Sequence, residues 1–146
     1  MNQIEAYWAR FLEETNTPNK TYTSWHFELT EELANELLEL VLEGKKRATA
    51  SSIYDFEHDP VPKVGDYSVI TNWAGEPKCI IRTTSVQILP FKDVTFDLAK
   101  LEGEDDHLES WREGHIKYYT QVCKAANQEF TWDMQVVFEQ FQVVYQ

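Results

Sequence analysis

Three adjacent cations, Lys45, Lys46 and Arg47, stand in a chain that is otherwise strongly acidic, and hydroxyls follow them at Thr49, Ser51 and Ser52. Crowded cations raise one another's charging cost, so one of the three is expected to carry a lowered pKa and to act as a base that activates a hydroxyl. The same residues have a structural reading. Basic groups just past a helix C-terminus complement its dipole, and hydroxyls are ordinary on a half-exposed strand. A second concentration of charge lies at Glu102-Gly103-Glu104-Asp105-Asp106. Solvated acidity, with Asp105 or Asp106 capping the next helix, accounts for it by default. Further on, Leu108, Trp111 and His115 share one helical face. Core packing explains Leu108, but explains Trp111, Arg112 and His115 less fully.

The elements that must position these groups follow from periodicity. Ile4, Tyr7, Trp8, Phe11 and Leu12 mark a first helix that ends in turn chemistry at Asn16 to Asn19. Tyr22 to Leu29 fits a short strand or an irregular loop, in which Trp25 could stack on a base. Thr30 offers an N-cap to a helix running to Glu43, and Gly44 supplies the left-handed position that ends it. Ala48 to Ile53 reads as a strand, Asp55 to Val64 as a loop, and Tyr67 to Asn72 and Lys78 to Leu89 as a hairpin. Asp93 is expected to cap a short helix after Pro90. Phe130 to Tyr145 returns to β-rich sequence, with Val137, Phe141, Val143 and Tyr145 alternating against Glu139. Strands interleaved with about four helices, without βαβ periodicity, point to an α+β fold with an antiparallel sheet or small barrel.

The chain has 146 residues, enough for one domain that buries roughly two-thirds of its unfolded surface. Residues 1–146 are therefore expected to form a single domain, with 1–20 as a helical extension. Its 13 basic residues face 25 acidic ones, so a long polyanion meets net repulsion, whereas a nucleoside or short oligonucleotide does not. Cys79 and Cys123 lack metal-binding or disulfide spacing and are expected to be thiols in a reducing cytoplasm. No secretory leader or membrane span is expected either, since the first residues are acidic and no long apolar run occurs.

The ordered motifs Gly44-Lys45-Lys46-Arg47-Ala48-Thr49, Pro62-Lys63-Val64-Gly65-Asp66, Thr83-Thr84 with Pro90-Phe91, and Glu102-Gly103-Glu104 with Trp111-Arg112 and His115 resemble those of ASCH-domain proteins. The resemblance runs from about Trp25 to Tyr145 and is strongest to the longer bacterial branch of unassigned function. It implies a PUA-like antiparallel β-barrel with flanking helices, and a cleft for RNA or a nucleoside. A smaller branch of acetylcytidine amidohydrolases implies catalytic roles for Lys46, Thr49 and Glu104. Trp25, Lys45, Arg47, Ser51, Trp111, Arg112 and His115 would then bind the ligand, with no metal or cofactor. Thr49 would attack the acyl carbon, a neutral Lys46 would take its proton, and Glu104 would shuttle a proton to the leaving amine. Such residues are expected to be replaceable with little loss of stability. A non-catalytic binding module and a metal-independent ribonuclease, with His115 or Lys46 as base, are the alternatives. One geometric condition applies: residues three apart on a regular strand face opposite sides, so Lys46 and Thr49 cooperate only if the chain turns between them.

Overall fold

The computed structural model describes residues 1–18, 20–27 and 30–146. The expected turn residue Asn19 and the last two positions of the Tyr22–Leu29 stretch lie outside them. Nine helices and strands are named here, in chain order: α1 Gln3–Glu14, β1 Thr23–Trp25, α2 Glu31–Leu42, β2 Ala48–Ser52, β3 Tyr67–Thr71, β4 Pro77–Pro90, α3 Phe96–Ala99, α4 Leu108–Ala125 and β5 Gln135–Tyr145. Short 3-10 turns join several of them, including Lys100–Glu102 just after α3.

The strands form one sheet in the order β1-β3-β4-β5-β2. All pairings are antiparallel except the short edge strand β1 on β3, which is parallel. Register shifts interrupt β4 between Ile80 and Ile81 and again between Thr83 and Ser85. Such irregularities bend a strand and increase its twist. The sheet curls far enough that its two edge strands line one cleft, Thr23 to Trp25 from β1 facing Thr49 and Ser51 from β2. The result is a half-open barrel.

Helices cover both faces. Tyr7, Trp8 and Phe11 of α1 pack on Val69 and Ile80. Burying a side chain of this size contributes roughly 1.5–3 kcal/mol, which fixes the first helix to the sheet. Leu37, Leu38 and Val41 of α2 pack with Phe27 on the alternate residues Ile70, Cys79, Ile81 and Phe141. Behind β2 and β5, Ala48, Ala50, Val136 and Phe138 meet Trp111, Tyr119 and Cys123 of α4. The gap between α2 and α4 opens onto β2, where the basic and acidic motifs meet.

Three boundaries differ from the sequence reading. Thr95, not Asp93, caps α3, its hydroxyl accepting from Leu98 N. His107, not Asp105 or Asp106, caps α4, its Nδ1 accepting from Ser110 N at 3.1 Å. Residues 130–134 stay outside β5, because Phe130 and Met134 fill the cluster beneath α4 instead of extending the ladder.

Candidate active site

Gly44 closes α2 at φ +79°, and the amides of Lys45 and Lys46 both donate to Leu40 O. The chain has therefore turned before β2 begins. Arg47 N then donates to Leu101 O at 2.8 Å, and Arg47 O accepts from Phe141 N at 3.0 Å. The first of these bonds ties the basic motif to the residue preceding Glu102. Gly103 completes the junction: it has φ +74°, and a Cβ there would stand 2.5 Å from Lys45 O. Only glycine combines that backbone conformation with so close an approach, which places Glu102 and Glu104 on either side of the Lys45–Lys46 peptide.

Lys46 is 2% exposed, and its Nζ donates to Glu102 Oε2 at 3.1 Å and to Glu104 Oε2 at 2.8 Å. The Phe27 ring lies 5.5 Å away, within cation–π range. Glu102 is buried as well; its Oε1 accepts from Trp111 Nε1 at 2.8 Å and from His115 Nε2 at 3.0 Å. The other ring nitrogen of His115 lies 2.8 Å from Trp111 O, and the two rings stack at 4.1 Å. A carbonyl and an ionised carboxylate can only accept, so this arrangement favours the imidazolium, in which both nitrogens of His115 donate.

These contacts set the ionisation. Burial acts to lower the pKa of Lys46, but Glu102 and Glu104 more than reverse it, and the ammonium ends above its ordinary value. The expected neutral lysine is thereby corrected. Its sequence neighbours do not crowd it, because Lys45 turns outward to Glu43 at 3.0 Å and Arg47 is exposed, whereas two carboxylates reach it from 56 and 58 residues away. Burial likewise acts to raise Glu102, yet Lys46 and His115 hold it far below the usual carboxylate range. Glu104 moves the other way. Burial and the charge of Glu102 outweigh Lys46 there and leave its pKa raised. His115 is also raised, Glu102 overcoming its burial. The surroundings favour the ionised form of Glu102 and ease protonation of Glu104.

The quartet forms the inner wall of a cleft of about 540 Å³. Thr49 and Ala50 of β2, Leu33 and Leu37 of α2, and Lys117 and Tyr118 of α4 complete much of its lining. Lys46, Thr49, Glu104 and His115 therefore share the lining of one cleft; the turn at Gly44 lies before Lys46, and on β2 Thr49 alternates with Ala48 and Ala50, which face the core. Trp25 and Ser51 line a second cleft, on the barrel side of β2, to which Thr49 also belongs. Trp111 is fully buried and supports Glu102 from behind. Arg112 lies over Trp132 at 5.2 Å, and neither it, Lys45 nor Arg47 lines either cleft. Glu102 and Phe27 escaped the sequence reading as site residues; the signal for Glu102 was its place two residues before Glu104 across a glycine.

A family model described as the ASCH domain matches residues 23–145. The chain belongs to the ASCH-domain family. An ASCH domain from Lactobacillus crispatus is similar to it at 34% identity, over 97% of this chain and 94% of that one, with a TM-score of 0.89. A protein from Enterococcus faecalis is similar at 33% identity, over 98% and 88% of the two chains, with a TM-score of 0.90. The hypothetical protein PH0355 shares the fold at 22% identity, covering 84% of this chain and all of that one, with a TM-score of 0.52. No curated protein matches. This ASCH domain thus has the PUA-like fold of the RNA-binding type, in α+β form. Among its described residues no helix is long and apolar enough to cross a membrane.

Proposed function

We propose that this ASCH domain binds an acylated nucleoside in the Lys46 cleft and hydrolyses its amide, with N-acetylated cytidine as the leading substrate. The observation that carries this reading is the buried ammonium of Lys46, shared by two carboxylates of opposite pKa shift and set in the wall of a cleft that Thr49 also lines. An ammonium has three donors, and two are taken by Glu102 and Glu104, which leaves one for a polarised carbonyl. Lys46 serves as electrophile, not base.

The steps then balance. Thr49 Oγ attacks the acyl carbon, the oxyanion develops against Lys46, and Glu104 receives the hydroxyl proton. Glu104 returns that proton to the departing exocyclic amine as the C–N bond breaks. Water then cleaves the acyl-threonine ester, again through Glu104, to release acetate and restore the hydroxyl. Glu102, fixed by Trp111 and His115, keeps Lys46 charged and in place throughout.

Charge supports a nucleoside over a polynucleotide. Lys46, His115 and Lys117 in the lining are balanced by Glu102, Glu104 and Asp105. The cleft thus offers no net positive field to a phosphate backbone. His115, with both nitrogens engaged, has none free to act as the general base of a ribonuclease. A screen of the purified protein against acylated nucleosides and short RNAs, with product analysis by chromatography, tests the reading. Release of unmodified nucleoside with equimolar acetate is expected; cleaved RNA, or binding without products, would replace it with the ribonuclease or the binding module.

A further inference from the structure

Gly114 stands well inside α4. Glycine is the poorest helix former after proline, and a helix interior gains from it only where an unusual backbone angle or a close neighbour demands it. Neither demand exists here. The backbone at Gly114 is helical, outside the left-handed region, and a Cβ built on it would meet nothing within 4 Å. For the fold alone, alanine would serve better. Gly114 does line the Lys46 cleft, and the next residue, His115, reaches Glu102, so the glycine stands level with the buried quartet. From the α2 side of the same cleft, Leu33 is 46% exposed, although Leu37 one turn on is buried. An exposed leucine on one helix and bare backbone on the other each cost stability, and a ligand between the helices accounts for both.

From Gly114 the lining continues along α4 with Lys117, Tyr118 and Gln121, which stand three, four and seven residues on and so share its face. At about 1.5 Å of rise per residue, Gln121 lies roughly 10 Å along the helix from Gly114. That is about the length of a pyrimidine nucleoside, from its exocyclic nitrogen to the far side of its sugar. The side chains of Lys117 and Gln121 are exposed, and neither has a polar partner among the described residues. A glutamine amide both donates and accepts, as sugar hydroxyls do.

We propose that α4 is the specificity wall of the cleft: the bare backbone at Gly114 admits the aromatic ring that bears the acylated amine, Leu33 covers the other face of that ring, and Gln121 with Lys117 receives the sugar. This rests on the reading of the cleft as an amide hydrolase for nucleosides, and adds the residues that choose a flat heterocyclic amide carrying a sugar. A Cβ at position 114 would occupy space that the protein leaves open and the ring fills. An acetylated alkyl amine would leave Leu33 uncovered and lose the contact with α4.

The test uses the whole chain with N-acetylcytidine and the free base N-acetylcytosine as probes. Binding is read by calorimetry in a Thr49→Ala background, hydrolysis in the wild-type background, and melting temperature in both. Gly114→Ala should melt above its parent and yet weaken both probes roughly tenfold or more, with KM raised and kcat within about threefold of the parent. Gln121→Ala should weaken the nucleoside about threefold or more and leave the free base within about twofold. A Gly114→Ala protein that binds as tightly as its parent would overturn the proposal, as would one that melts lower, since the fold would then need the glycine. Equal losses of nucleoside and free base in Gln121→Ala would also overturn it. If both probes bind, the variants lose affinity as stated and no acetate is released by the wild type, the hydrolase reading fails and the specificity wall stands.

Discussion

Replacing Lys46 with methionine keeps the volume of the side chain but removes the charge that two carboxylates share. The cost can be worked from the two contacts separately. The side chain of Glu104 is 25% exposed and can turn to water, so that pair is worth no more than about 1 kcal/mol, as for exposed pairs generally. The side chain of Glu102 is 4% exposed and cannot. Removing one partner of a buried pair typically costs about 3–5 kcal/mol, because the survivor is left charged and unpaired. His115 and Trp111 still hold Glu102, which places the loss at the low end, roughly 3 kcal/mol. For a chain near this size each kcal/mol moves the melting temperature by about 2–4 °C, so a fall of roughly 6–12 °C is expected. Lys46 is thus not the dispensable residue that the sequence suggested. Urea and thermal unfolding of Lys46→Met, Glu102→Gln and the double variant measure it. If the loss arises from an uncompensated Glu102, the double variant should be more stable than the sum of the singles by about 1 kcal/mol or more. A Lys46→Met protein within about 0.5 kcal/mol of wild type, or strictly additive singles, would refute the buried quartet.

Three further outcomes are expected. Gly103→Ala should cost more than the roughly 1–2 kcal/mol of a left-handed non-glycine residue, since its Cβ would also meet Lys45 O at 2.5 Å, and turnover should fall with stability; denaturant unfolding beside an activity assay reads both. The pKa of His115 is raised on folding, so its contribution is complete below the unfolded value of about 6.5 and is lost as pH rises through the folded value. Stability measured from pH 6 upward should therefore fall more steeply in wild type than in His115→Gln, and parallel profiles would contradict the imidazolium. Long RNA near physiological salt should bind weakly and lose what affinity it has as salt rises, because net charge is −12 and Lys46 is already neutralised; tight, salt-resistant binding would count against a small ligand.

Much of the fold was legible because its signals are local. Apolar spacing gave α1 and α2, Gly44 gave the end of α2, and turn residues gave the β3–β4 hairpin. The caps of α3 and α4 were misread because threonine, histidine and aspartate can all cap, and which does so depends on where the chain turns. The motifs singled out Lys46, Thr49, Glu104 and His115, which line one cleft, but not the electrostatics of that cleft. Lys45 and Arg47 adjoin Lys46 in sequence, and proximity along the chain suggested repulsion. The side chains diverge, and the ionisation of Lys46 is set by Glu102 and Glu104, reached only through the Arg47–Leu101 bond and the glycine between the two acids. Long-range contacts of this kind leave no periodicity to read.

The most direct test of the account is the release of cytidine and acetate from N-acetylcytidine by wild type, Thr49→Ala and Glu104→Gln, with melting temperatures recorded on the same samples. Wild type should yield the two products in equal amounts, and both variants should lose at least a hundredfold in rate, the usual scale for a proton-transfer group or nucleophile, while melting within a few degrees of wild type. A wild type that releases no cytidine, or a Glu104→Gln protein that turns over as fast as wild type, would contradict it.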